Sequence, residues 1–125
     1  MTAETDPDGL SVEDLLDRFV EAWASGDADR VAALFAPHGV YHASVGPEPG
    51  ERARGREAIR GLVGRMLALD SATATQITSR TVMPGGAVWT WSYETDDDTT
   101  VLGCDIVRVE NGLLVLKDAY RKVAR

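Results

Sequence analysis

Apolar residues near the start of the chain recur at the spacing of one helix face. That face carries Val12, Leu15, Leu16, Phe19 and Trp23. Ser11 precedes it as an N-cap, because its hydroxyl can accept a backbone N–H, and Gly26 follows it as a natural C-terminal stop. The pattern therefore predicts an amphipathic helix over residues 11–25.

Two further helices are predicted, with a strand and a loop between them. Asp27 can cap a short second helix that Pro37 ends. The third helix opens at residues 55–59. Its apolar face is formed by Ile59, Leu62, Val63, Met66 and Leu67. Between these helices, residues 39–44 read as a short strand and residues 46–51 as a turn-rich loop.

From residue 71 the pattern changes to that of β-strands. The predicted strands are residues 73–83, 87–94, 99–109 and 113–123. They are separated by the turn sequences Pro84-Gly85-Gly86, Asp96-Asp97-Asp98 and Asn111-Gly112. Three helices and one early strand, followed by a four-strand antiparallel meander, indicate an α+β fold.

The last turn sets a register by counting, because Asn111-Gly112 suits a type I′ hairpin turn. A straight count puts Asp105 opposite Asp118, on the same face as Tyr120. Cross-strand Cβ atoms lie about 4.5–5.5 Å apart, so one of the two carboxyls should have a raised pKa. Such a pair provides an acid and a base from one residue type; an exposed hairpin with two solvated carboxylates is the alternative. The count assigns Cys104, Ile106, Arg108, Leu113, Val115, Lys117 and Ala119 to the opposite face.

Other strands contribute aromatic and titratable candidates. Tyr41 and His42 are adjacent, so only one of them can face a pocket. His42 titrates near neutrality, which suits a general acid/base role, but it could also lie on the solvent side. An apolar pocket could be lined by Trp23, Trp89, Trp91 and Tyr93, which core or dimer-interface packing would explain equally well. The hydroxyl of Tyr120 could orient a ligand, or the ring could simply pack.

Composition narrows the classes of function. The chain has 125 residues, a formal net charge of −7 and one cysteine. The acidic balance argues against nucleic acid and anionic membranes as partners, and one cysteine excludes an internal disulfide and a cysteine-rich zinc site. Residues 1–9 carry no signal-peptide pattern and are expected to be a disordered tail before a single domain, residues 10–125. A cytoplasmic protein is expected.

Three segments in order resemble SnoaL-like proteins of the nuclear transport factor 2-like superfamily. They are residues 19–27 with 34–37, residues 55–59, and residues 104–109 with Asn111-Gly112. The resemblance implies a cone-shaped roll of three N-terminal helices packed on a curved, mostly antiparallel sheet around a pocket. Members include ketosteroid isomerases, polyketide cyclases, limonene-type epoxide hydrolases and non-catalytic binding domains. Homodimers packed through the sheet are common, and catalytic members need no metal or organic cofactor.

The last strand departs from the family pattern. Relatives commonly carry an Arg-Asp-Tyr motif whose Asp lies seven residues after the turn glycine. Here Asp118 lies six residues and Ala119 seven residues after Gly112. Either Asp118 still points inward in a strand without a bulge, or Ala119 holds the pocket position and Asp118 faces away. The straight count favours the first alternative.

The leading expectation is a cofactor-free isomerase or cyclase that transfers protons on a small, mostly apolar carbonyl compound. Asp118 and Asp105 would be its acid/base pair. The alternative, favoured by Ala119, is a non-catalytic ligand-binding or dimerisation domain of the same fold. Epoxide hydrolysis is less well supported, since it needs an arginine between two carboxylates; Arg108 is counted to the wrong face, and Arg80 is expected near Trp91. Expected partners are a small apolar molecule and a second copy of the chain bound through the sheet.

Overall fold

A computed structural model describes residues 11–69, 75–95 and 97–122. In chain order its elements are α1 (Val12–Ala24), α2 (Ala28–Ala33), β1 (Phe35–His42), β2 (Arg52–Arg54), α3 (Arg56–Leu69), β3 (Gln76–Met83), β4 (Gly86–Glu94), β5 (Thr100–Glu110) and β6 (Leu113–Arg121). The predicted tail at residues 1–9 lies outside the described residues, as does Asp96. Within the described part of the chain, no helix is long and apolar enough to cross a membrane.

The strands form one sheet in the order β2-β1-β6-β5-β4-β3. The meander β3 to β6 is antiparallel throughout, whereas β1 pairs parallel to β6. The predicted α+β fold, with three helices on a mostly antiparallel sheet, is confirmed. Strand β2 was not predicted, and β1 begins at Phe35 instead of residue 39, so α2 ends before Pro37.

Local capping explains where the first two helices begin. The Ser11 hydroxyl accepts a hydrogen bond from the backbone N–H of Asp14 at 3.1 Å. The Asp27 carboxylate accepts from the backbone N–H groups of Asp29 and Arg30 at 3.0 and 3.2 Å. Both caps satisfy N–H groups that have no partner within the helix. The apolar stripe of α1 then packs on the inner face of the sheet, with Leu15, Leu16 and Phe19 buried.

The last hairpin begins in the predicted register. Asn111 and Gly112 both have positive φ, 52° and 74°, as a type I′ turn requires. The pairs next to the turn, Glu110 with Leu113 and Val109 with Leu114, are the counted ones. The turn sequence alone therefore determined this end of the hairpin correctly.

A β-bulge changes the register beyond those pairs. Arg108 pairs with Leu116, so that Val115 is an extra residue on β6. Asp105 consequently pairs with Ala119 instead of Asp118. The straight-hairpin register was wrong, because one extra residue exchanges the two faces of every later position on the strand.

Candidate functional site

A cavity of about 750 Å³ lies between α1, α3 and the inner face of the sheet. Its aromatic lining consists of Phe19, Trp23, Tyr41, Trp89, Trp91 and Tyr93. Every tryptophan of the chain is included in that set. Sites for small molecules usually enclose about 300–1,000 Å³ and are mostly apolar with a few fixed polar groups. The cavity has the size and character of such a site.

The innermost polar feature of the cavity is a buried ion pair. Lys117 Nζ lies 3.0 Å from Asp105 Oδ2, and the two side chains are only 5% and 4% exposed. Trp89 Nε1 donates to Oδ2 of the same carboxylate at 2.6 Å, and Trp91 Nε1 donates to Oδ1 at 3.0 Å. Three donors thus compensate a carboxylate whose burial would otherwise be costly.

Aromatic rings surround the Lys117 ammonium. Nζ donates a hydrogen bond to the Tyr41 hydroxyl at 3.0 Å and lies 4.3 Å from the centroid of that ring. The rings of Phe19 and Trp23 are 5.5 and 5.8 Å away. Burial lowers the pKa of Lys117, but the charge of Asp105 and the contact with Tyr41 outweigh it and hold the pKa above its ordinary value. Lys117 is therefore a cation at neutral pH, unsuited to act as a neutral amine nucleophile.

Strand pairing aligns the groups that hold this carboxylate. Trp89 lies directly across from Asp105, and Trp91 lies across from Gly103. A Cβ atom on Gly103 would collide with the Trp91 indole, so glycine allows that ring to lie across β5 and reach the carboxylate. On the other side of Asp105, the short side chain of Ala119 leaves space beside the ion pair.

The predicted partner Asp118 lies on the outer face of the sheet, which faces away from the cavity. Tyr120 donates its hydroxyl proton to Asp118 Oδ2 at 3.0 Å, and this hydrogen bond raises the pKa of Tyr120. His42 Nδ1 lies 3.7 Å from Asp118 Oδ1. Asp118, Tyr120 and His42 are not among the residues lining the cavity. The bulge separates Asp105 from Asp118, so the geometry expected for an acid/base pair was wrong.

Six of the candidate residues do meet in the cavity, namely Asp105, Tyr41, Trp23, Trp89, Trp91 and Tyr93. Of the adjacent pair on β1, Tyr41 points inward and His42 outward. Sequence reasoning missed Lys117, which the straight count placed on the opposite face. The signal that could have found it was Ala119 at the family's seventh position, since placing Ala119 inward also places Lys117 inward.

Two other titratable residues, Arg80 and Cys104, do not line the cavity. Arg80 pairs with Trp89 along the strands, but its guanidinium forms an ion pair with Asp17 of α1 at 2.8 Å. The Cys104 thiol lies on the outer face, where burial raises its pKa and the charges of Asp105 and Asp118 add to that effect. Among the described residues, no group of three or more His, Cys, Asp or Glu side chains is placed to hold a metal ion.

Comparison with known proteins shows which family and which solved structures this chain resembles. The model of the SnoaL-like domain family matches residues 16–117. An NTF2-like protein of unknown function from Mesorhizobium loti is 26% identical, with a TM-score of 0.77 over 90% of this chain and 91% of that one. A protein with a ketosteroid isomerase-like fold from Catenulispora acidiphila, solved with trimethylamine, is 18% identical, with a TM-score of 0.72 over 88% and 86%.

A protein of unknown function with a cystatin-like fold from Methylobium petroleophilum is 18% identical, with a TM-score of 0.75 over 91% of this chain and 77% of that one. No curated protein matches the chain. At these identities the last two structures show a common fold and nothing finer. Because the family model covers most of the sequence and the same roll recurs in these structures, the chain belongs to the SnoaL-like domain family of the nuclear transport factor 2-like superfamily.

Proposed function

We propose that the protein binds a small, mostly apolar molecule in the cavity and directs a carbonyl-type oxygen of that molecule at Lys117. The supporting observation is a buried, charged lysine at the inner end of an aromatic cavity. An ammonium has three N–H donors, and Asp105 and Tyr41 accept two of them. None of the other described residues accepts the third N–H, so a ligand oxygen can accept it.

The test uses 2-acetonaphthone, a flat aromatic ketone, and follows tryptophan fluorescence. All three tryptophans line the cavity, so saturable quenching is expected on binding. Ala119→Leu fills the space beside the ion pair and should weaken binding at least about tenfold, the equivalent of about 1.4 kcal/mol. The matched control Ala58→Leu, on an exposed position of α3, should bind as the wild type does. Equal binding by both variants would contradict the proposal.

A closely shaped hydrocarbon separates the carbonyl contact from apolar packing. We expect 2-ethylnaphthalene, which lacks the oxygen, to bind more weakly than the ketone. A charge-assisted hydrogen bond is worth about 1.5–3 kcal/mol, so a difference of about tenfold or more is anticipated. Because Lys117 does not titrate near neutrality, ketone affinity should be constant between about pH 6 and pH 9.

The second candidate function is proton transfer next to the carbonyl. It is favoured by the carboxylate of Asp105 lying 3.0 Å from Lys117, in the same cavity. A ketone held at Lys117 would have its α-carbon near that carboxylate, which would take up the proton while the Lys117 ammonium stabilises the developing enolate. Binding ranks first, because both oxygens of Asp105 already accept hydrogen bonds from indoles.

Deuterium exchange tests this second candidate. A catalyst should incorporate deuterium from D2O into the methyl group of 2-acetonaphthone, observed by proton NMR, and Asp105→Asn should abolish the excess rate. Exchange at the rate of buffer alone, with the ketone shown to be bound, would leave binding as the function.

A homodimer is the proposed assembly. The outer face of the sheet exposes the apolar side chains of Met83, Leu102, Ile106 and Tyr120, each 41–53% exposed. Several exposed large apolar residues on one face indicate a protein contact. A second copy packed sheet to sheet would cover them and leave both cavities open.

A further inference from the structure

Arg121 is a charged residue of the cavity lining that lies outside the Asp105–Lys117 ion pair. It lies on the inner face of β6, four residues beyond Lys117, and lines the cavity. Its guanidinium lies 5.5 Å from the centroid of the Tyr93 ring. Nε of Arg121 is buried and has no hydrogen-bond partner among the described residues. A buried donor without a partner is costly in free energy, which suggests that a ligand supplies the acceptor.

The charges around the cavity support an anionic ligand. Asp105 and Lys117 neutralise each other as an ion pair. Arg121 is the remaining charged residue of the described lining, and it forms no ion pair with a described residue. The lining therefore carries one unmatched positive charge in a chain whose net charge is −7. Such a local reversal of sign attracts anions into an otherwise acidic molecule.

We propose that the ligand is a flat, apolar molecule that carries a carboxylate, and that Arg121 binds this carboxylate. The inference rests on the cavity being a ligand site, as proposed above, and specifies the class of ligand. A guanidinium presents paired N–H donors that match the two oxygens of a carboxylate. The guanidinium lies over the Tyr93 ring, and this contact restricts where the fork can lie.

The spacing along β6 sets the size of the ligand. Residues four apart on one strand have Cα atoms roughly 13 Å apart, from about 3.3 Å per residue. A fused two-ring keto acid has this order of length, with its carbonyl towards Lys117 and its carboxylate towards Arg121. Ala119, between them on the same face, leaves the central part of the cavity free for the rings.

Two probes of nearly identical shape test the carboxylate contact. They are 6-acetyl-2-naphthoate and its neutral amide, 6-acetyl-2-naphthamide, titrated by tryptophan fluorescence or calorimetry. The wild type should bind the carboxylate at least about tenfold more tightly than the amide. Arg121→Gln should remove this preference and leave amide affinity within about twofold. Arg108→Gln, which removes the same charge from an exposed residue on the outer face, should keep the preference.

The outcomes separate this inference from the binding proposal. Equal affinity of the wild type for both probes would overturn the carboxylate site while the cavity stays a ligand site. A preference that survives in Arg121→Gln would overturn it as well, since the anion would then lie elsewhere. Failure of both probes and of 2-acetonaphthone to bind would remove the proposed function itself. Arg121→Lys, which retains the charge without the fork, should keep part of the preference and serves if the glutamine variant does not fold.

Discussion

Asp105 and Lys117 form an ion pair in which both side chains are almost fully buried. A buried ion pair rarely stabilises a fold more than apolar side chains of the same volume would, because both charges must leave water. The raised pKa of Lys117 has a definite consequence for stability. The contribution of the pair is complete below the ordinary lysine pKa of 10.5 and is lost as the pH rises through the higher folded value. The pair therefore stays intact throughout the neutral range.

Removing one charge of this pair should lower the free energy of unfolding far more than removing both charges. Lys117→Met leaves Asp105 buried without its cation and should lower the free energy of unfolding by about 3–5 kcal/mol. The double variant Asp105→Asn/Lys117→Met should recover a large part of that loss, as measured by urea unfolding. Lys122→Met, at an exposed position, should change stability by less than about 0.5 kcal/mol. Additive losses in the double variant would show that the two side chains are not coupled.

At the scale of elements, two adjustments of the sheet build the site. The bulge at Val115 directs Lys117 and Ala119 inward, and Gly103 allows the Trp91 indole to cross β5. The bulge changes which face of the sheet Lys117 and Ala119 occupy. Gly103 changes how closely the Trp91 ring approaches the backbone, and the hydrogen bond from Trp91 to Asp105 depends on that approach.

A methyl group at Gly103 tests the second adjustment. Gly103→Ala should displace the Trp91 ring, break its hydrogen bond to Asp105 and lower the free energy of unfolding by about 1–3 kcal/mol. Near-ultraviolet circular dichroism should report the changed tryptophan environment. The control Gly61→Ala lies in α3, where a Cβ meets only the end of the Arg65 side chain, and it should stabilise by up to about 1 kcal/mol. Similar effects of the two changes would contradict this account of Gly103.

The sequence predicted the features that depend on a few neighbouring residues. It missed the features that depend on pairing between distant parts of the chain. The Ser11 and Asp27 caps and the Asn111-Gly112 turn act within a few residues, so α1, α2 and the start of the hairpin could be predicted. The bulge in β6 lies where β1 also pairs with β6, and that register shifts too, between Phe35 and Val40. Those pairings join parts of the chain far apart in sequence. Lys117 was missed for this reason.

For the molecule as a whole, the two faces of the sheet suit the two proposed tasks, ligand binding and dimerisation. The inner face holds the cavity with its cationic groups, and the outer face exposes Leu102, Ile106 and Tyr120 beside Asp118. A second copy on the outer face would bury these apolar side chains without closing the cavity. Dimerisation and ligand binding should therefore be separable by mutation.

Charges on the outer face should dissociate the proposed dimer. Leu102→Glu with Ile106→Glu places carboxylates at two exposed apolar positions, and light scattering coupled to size exclusion should then give the monomer mass. Ala58→Glu, an exposed change on α3, should leave the dimer intact. Binding of 2-acetonaphthone should persist in the double variant. A wild type that is monomeric at every concentration would rule out the dimer.

The bulge also decides which charges face the interior, with no change of any side chain. A straight pairing of β6 with β5 that keeps Val115 in the ladder would turn Leu116, Asp118 and Tyr120 inward and Lys117 outward. Acidic groups would then replace the cationic ones on the inner face. On a scaffold that serves many functions, gaining or losing one bulge in this hairpin is a short evolutionary route between a cationic interior and one that carries a pair of carboxylates.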